Sequence, residues 1–315
     1  MSSPEPHEIA PEGRRQPRSV IVEKSCEGLH VALRGLPERP EAALAELLAG
    51  RESRGERVPV VTLLVRDRHD ADVIPPALAW LSSRGRRVIV RTRVVLAKPI
   101  VRALAEAHER GASVVVELEL AHHKPVIQRA LLGPQADAAS ALLLQAQHLE
   151  TLGLPVVARL GPILPGIHDH GGPGQKVGLE PLLRNVEAAD LRRVVLEVGE
   201  LEPAQITALV RIQRELSTAG LLELGKAFGI DPMVMLGAVP IALASAESHL
   251  VRRLKPRRAA ALIAGLEQLV RAAGLELPAC GCQSHCALAR PRPANDYEIG
   301  YEAVMGRDLF AGLAY

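Results

Sequence analysis

Leu154-Pro155-Val156-Val157-Ala158-Arg159-Leu160-Gly161-Pro162-Ile163-Leu164-Pro165-Gly166-Ile167-His168-Asp169-His170 is the stretch whose reading decides the fold. Its first part, Pro155–Leu160, is nearly all apolar rather than alternating, the pattern of a strand covered on both faces. Prolines and glycines then stop the strand, and His168, Asp169 and His170 follow just beyond its carboxyl end. Ligand sites of parallel α/β sheets and barrels are built at that edge.

Outward from this strand, the same grammar repeats. Short β-branched runs are predicted at Ser19–Glu23, Val58–Val65, Arg87–Val94, Ser113–Leu118 and Arg193–Val198. Helical patterns fall between them at Pro40–Ala49, Pro75–Ser83, Pro99–Arg110, Asp137–Thr151 and Leu179–Ala188. Strands alternating with helices predict an α/β protein with a parallel sheet, here a partial (β/α)6 TIM-like barrel. Right-handed crossovers then bring all the strand carboxyl ends to one rim. Beyond Glu200 the strand signal fades, and Glu202–Ser217, Leu221–Phe228 and Pro256–Ala273 read as helices. The expected organisation is a disordered tail over 1–17, a βα barrel over 18–200, a helical extension over 201–277 and a cysteine-rich appendage over 278–315.

Composition narrows the function classes. A net charge of +2 on 315 residues gives no general attraction to nucleic acid. Aromatic residues are only 2%, so base-stacking platforms are not expected. No run of about 18 uncharged apolar residues is present, so no membrane span is expected. The polar, proline-rich start does not read as a signal peptide, and the cytoplasm is the expected compartment.

The strand ends form a series: Ser25-Cys26-Glu27-Gly28-Leu29-His30-Val31-Ala32-Leu33, Arg91-Thr92-Arg93, Glu119-Leu120-Ala121-His122-His123 and Pro162–Asp169. Over roughly Ser19 to Val198 this resembles the radical S-adenosylmethionine superfamily, in particular its spore photoproduct lyase-like branch. That branch has P-I-I-P-G-x-N-D after a helix ending in A-G-I-P-V; Leu152–Val156 and Pro162–Asp169 match it, with His168 in place of Asn. The resemblance implies a lyase-type ancestry, a [4Fe–4S] cluster and S-adenosylmethionine as cofactor. It also implies a cluster loop of the form C-x3-C-x2-C after the first strand. Here that spacing reads Cys26, His30, Leu33: one thiolate, one imidazole and one side chain with no electron pair to give. The standard cleavage of S-adenosylmethionine is therefore not expected, and the chain reads as a divergent member or a pseudoenzyme.

Other thiolates stand in Cys280-Gly281-Cys282-Gln283-Ser284-His285-Cys286. Three so close can share one metal, a [4Fe–4S] cluster completed by Cys26 or a zinc ion, and the spacing does not choose between them. Free cysteines in a reducing cell are the plainer alternative. His122, His123, His168, Asp169 and His170 are rim candidates for substrate contact or for a divalent metal in a hydrolase or lyase. Lys98 and Lys124 are candidates to pair with an anionic ligand. The basic run Arg252, Arg253, Lys255, Arg257, Arg258 is a weak nucleic-acid signal and reads first as a solvated helix start. Gly171–Gly178 lacks the phosphate-loop pattern. The partner expected is a small molecule or a protein. A barrel with a structural zinc site and no catalysis remains the alternative.

Overall fold

The computed structural model describes residues 22–25, 28–34, 36–55, 58, 60–168, 179–240 and 251–277. Seven strands form one sheet in sequence order. They are β1 (Val22–Ser25), β2 (Gly28–Ala32), β3 (Val60–Val65), β4 (Arg87–Thr92), β5 (Val114–Leu120), β6 (Val156–Ile163) and β7 (Val194–Val198). β1 pairs antiparallel with β2, and β2 to β7 are parallel throughout. Because the strand order never reverses, there is no switch point, and successive crossovers lay their helices on the same face. A twisted parallel sheet covered on one face curls around the other. The result is the expected α/β architecture, a six-stranded partial barrel left open between β7 and the β1–β2 edge.

Helices α1 (Glu41–Glu52), α2 (Ile74–Ser82), α3 (Lys98–Glu109), α5 (Ala139–Thr151) and α6 (Leu179–Ala188) cover the outer face. Their Leu44, Leu78, Leu104, Leu142 and Leu182 are fully buried against Val31, Leu63, Val90, Val116 and Ala158 of the strands. Buried aliphatic side chains of this size contribute about 1.5–3 kcal/mol each, so this single layer supplies most of the drive to fold. A second cluster lies over the rim. There α4 (Pro125–Leu132) packs against α7 (Pro203–Arg211), α8 (Thr218–Phe228) and α9 (Pro232–Met235) through Ile127, Leu131, Leu209, Leu224 and Met235. Helix α10 (Pro256–Ala272) returns to the barrel, where Leu266 and Val270 join the outer core. Glu276, just beyond it, bridges Arg193 beside β7 and shields that edge, as β1 shields the other. No helix of the described residues is long and apolar enough to cross a membrane.

Three readings of the sequence are corrected here. The first barrel strand is β2, not Ser19–Glu23, and the stretch read as a cluster loop after strand one contains that strand. His30 hid it by interrupting the apolar run, yet Leu29, Val31 and Leu33 are buried and His30 sits opposite Thr62 in the ladder. The helix expected over Glu202–Ser217 breaks after Arg211 into a short 3-10 turn, Gln213–Glu215. Ser217 then starts α8 anew, its hydroxyl accepting the Gly220 N–H at 3.0 Å. Helix α4 was not predicted; its Pro125 stands in the first turn, where a proline costs no hydrogen bond.

One backbone contact joins the β6 rim to α8. A Cβ on Gly166 would overlap the Gly220 carbonyl, a Cβ on Gly220 would overlap that of Gly166, and Gly166 has φ of +77°. Gly220→Ala is expected to destabilise the protein by about 1–3 kcal/mol in urea unfolding, the cost of overpacking. Gly166→Ala is expected to cost more, since its backbone conformation disfavours any side chain. Gly265→Ala, in α10 with open space around it, is expected to be neutral or slightly stabilising.

Candidate functional site

Along the strands, alternate residues face the barrel interior. At its lower level the inward positions are Ile89, Val115, Val157 and Val195, all buried. One step nearer the rim they become Arg91, Glu117, Arg159 and Glu197, and beyond these Arg66, Arg93, Glu119, Gly161 and Gly199. The interior thus has a mainly aliphatic level, with Thr62 and Arg87 also turned inward, and a charged level above it.

Glu117 is fully buried and sits between two arginines. Its Oε2 accepts from Arg91 Nε at 2.8 Å and from Arg159 Nε at 2.9 Å. Arg159 reaches onward, donating from Nη1 to Glu197 Oε2 at 3.0 Å. Arg91 and Arg159 are 4% and 2% exposed, so this chain of charge is out of water, where an unpaired ion would be prohibitive. One layer up, Arg93 donates from Nε to Glu119 Oε2 at 2.8 Å and from Nη1 to the Leu132 carbonyl. Burial alone would raise the pKa of Glu119; the charges of Arg93, Arg91 and Arg66, with the Arg93 hydrogen bond, outweigh it and hold the carboxyl below its ordinary range.

Above these pairs lies a cavity of about 770 Å³, of the size that takes a small-molecule ligand. Its wall carries His30 from β2 and the guanidiniums of Arg66, Arg91, Arg93, Arg129, Arg159 and Arg253. The carboxylates of Glu119, Glu197, Glu200 and Glu202 face them. α4 and α7 close the side through Leu131 and Ala204. On the β6–β7 side the wall is backbone: the ladder is irregular between Leu160 and Ile163, the Gly161–Pro162 peptide is cis, and a Cβ on Gly199 would overlap Pro162. Bulges of this kind recur beside functional sites, where they re-aim a strand end.

The rim above is rigidly tied. Gln128 of α4 is fully buried, and its Oε1 accepts from the N–H groups of Ala121 and His122 at 2.8 and 2.9 Å. His168 bridges the β5 and β6 rims. Its Nδ1 accepts the Leu164 N–H at 2.9 Å and its Nε2 donates to the Ala121 carbonyl at 2.7 Å. Both ring nitrogens are used by backbone, so His168 has none to offer a metal. His122 stacks on His123 at 4.3 Å between ring centroids and takes the Lys124 N–H on its Nδ1 at 3.0 Å. Burial, and then the nearby His168, His123 and Lys124, push its pKa down to about 2.

The structure therefore brings three of the rim candidates together, His122 and His168 hydrogen-bonded to backbone and His123 stacked on His122. Among the described residues no group of three His, Cys, Asp or Glu is placed to hold a metal. Asp169, His170, Cys26, Cys280, Cys282 and Cys286 lie outside the described residues. Lys124 pairs with Glu215 at 3.4 Å and Lys98 is the exposed first residue of α3. Of the described residues singled out in the sequence as chemical candidates, His30 and Arg253 line the cavity. The Arg–Glu array was missed as a site, although its signal is plain: Arg91-x-Arg93, Glu117-x-Glu119, Arg159 and Glu197 recur at inward spacing in strands that otherwise look uniformly apolar.

No protein-family model matches the chain, and no curated protein does. Among solved structures it is similar to SuiB of Streptococcus suis bound to S-adenosylmethionine, with a TM-score of 0.37 and 11% identity over 55% of this chain and 39% of SuiB. A second SuiB structure gives a TM-score of 0.36 and 12% identity over 56% and 41%. The chain spans about two fifths of SuiB, and a likeness at this level says nothing of residues, ligand or activity.

Glu117→Ala, which takes a shared carboxylate from two buried guanidiniums, is expected to destabilise the fold by about 3–5 kcal/mol, measured by urea unfolding. His122 gives a pH signature. Its folded pKa lies below the unfolded value near 6.5, so its contribution is present above about pH 6.5 and is lost as pH falls. Wild type is expected to lose about 1.4 kcal/mol of stability per pH unit below pH 6 on its account, and His122→Gln to flatten that slope.

Proposed function

We propose that the protein is a divergent radical S-adenosylmethionine-like barrel whose working site is the charged interior cavity, where it binds a small molecule without a cluster from the first-strand loop. The observation that carries this is the buried Arg91–Glu117–Arg159–Glu197 chain beneath a cavity at the carboxyl ends of the strands. Buried charges held in fixed geometry are costly to keep for folding alone. Here they floor a space large enough for a ligand, in the place where barrels bind them. The radical-enzyme ancestry rests on the sequence match at Leu152–Val156 and Pro162–Asp169.

An iron–sulfur cluster does not fit the described rim. The residues leaving the first barrel strand, Leu33-Arg34-Gly35-Leu36-Pro37-Glu38, contain neither Cys nor His. Ser25 and Gly28, which flank the Cys26-Glu27 pair, face each other at the opposite, amino-terminal end of β2. A cluster or zinc ion on Cys280, Cys282 and Cys286, which lie outside the described residues, stays a proposal of its own.

Two measurements test the reading. Ala204 is an exposed residue at the cavity wall, and Ala204→Trp should obstruct the space without entering the core. In a thermal-shift screen of anionic, cationic and nucleoside metabolites, at least one compound at 100 times its Kd should raise Tm by roughly 4 °C. Ala204→Trp should abolish that shift. A wild-type protein stabilised by nothing, or by compounds that act equally on Ala204→Trp, would refute the cavity as the site. In parallel, any iron or zinc found after anaerobic purification should disappear in the Cys280/Cys282/Cys286→Ala variant while ligand binding persists.

A further inference from the structure

Resting on the cavity reading, we infer that the ligand is a small hydroxylated anion without an aromatic ring, of the sugar-phosphate or hydroxycarboxylate kind. Three observations carry this. The wall holds six arginines against four glutamates, and Glu117 behind it leaves an excess of one positive charge. Arg129 supplies the movable part of that excess: its side chain stands at the mouth on α4 and makes no hydrogen bond or ion pair among the described residues. A guanidinium so placed matches the planar, bidentate geometry of a phosphate or carboxylate.

The carboxylates set the second requirement. A ligand carrying only anionic groups would be repelled by Glu119 and Glu197, which line the same space. A carboxylate has about four lone-pair sites, and the Arg93 bond to Glu119 takes one of them. Glu119, held ionised by its arginines, is an acceptor for hydroxyl donors and not an acid. Hydroxyls on the ligand therefore suit the glutamate side while its anionic group suits the arginine side.

The third observation bears on nucleotide ligands. Among the described residues no Phe, Tyr or Trp lines the cavity, and His30 is the one aromatic ring there. Nucleobases in protein sites are ordinarily held on such faces, each stack contributing about 1–3 kcal/mol. This wall offers arginine and glutamate heads with backbone at Gly161 and Gly199, which favours a compact polar molecule over a nucleoside.

Isothermal titration on the full chain at low salt tests this with glucose 6-phosphate, citrate, inorganic phosphate, glucose, adenosine monophosphate and spermidine. Glucose 6-phosphate or citrate should bind at least tenfold more tightly than phosphate, glucose, adenosine monophosphate or spermidine. Which of the two wins identifies the anionic head. Arg129→Ala, an exposed change, should weaken that binding at least tenfold, and Ala204→Trp should abolish it. Adenosine monophosphate or spermidine binding as tightly and lost in Ala204→Trp would overturn the ligand class while the cavity reading stands. No binding by any probe, or binding unaffected by both variants, would overturn both.

Discussion

Two guanidiniums converge on one carboxylate inside the barrel, Arg91 and Arg159 on Glu117, and the upper half of the interior depends on that convergence. Glu117 is fully buried, so its charge is tolerable only because both arginines bond it directly. Arg159 in turn needs Glu197 to satisfy its remaining donors. Register sets the meeting: Arg91 lies opposite Glu117 in the β4–β5 ladder, and Glu119 lies opposite Arg159 in the β5–β6 ladder. A slip by one residue would turn every one of these charges into the outer aliphatic core. The polar chain therefore specifies strand pairing as well as furnishing the cavity floor.

Around that floor the protein is built for stiffness. Gln128 clamps the β5 rim, His168 ties it to the β6 rim, and Gly166 meets Gly220 backbone to backbone. His168, a chemical candidate in the sequence, spends both ring nitrogens on backbone of the β5 and β6 ends, whose Glu119 and Gly161 line the cavity. A ligand binding in it loses little to reorganising the site, which is how a modest number of polar contacts can select one molecule.

How far the sequence could be read differs between helices, strands and site. Apolar runs located the parallel strands from β3 to β7, because a strand covered on both faces has a composition nothing else in the chain shares. The first barrel strand escaped because His30 interrupts its run, and α4 because eight residues opening on a proline carry little helical periodicity. The site escaped for a different reason. Arg91, Glu117, Arg159 and Glu197 are spread over more than a hundred residues, and no local pattern says that they touch. The histidines drew attention instead, being adjacent in sequence, and their hydrogen bonds to the Ala121 carbonyl and the Leu164 N–H are invisible until the rims are brought together.

The sequence alone determined that the chain builds an α/β partial barrel, with its strand ends on one rim and a helical extension beyond it, since hydrophobic periodicity is a local property. Only the tertiary structure decided which side chains share the interior. Curling the sheet makes alternate residues of separate strands neighbours, and whether an arginine there is a solvated surface charge or one end of a buried ion pair depends on the register that the fold as a whole selects.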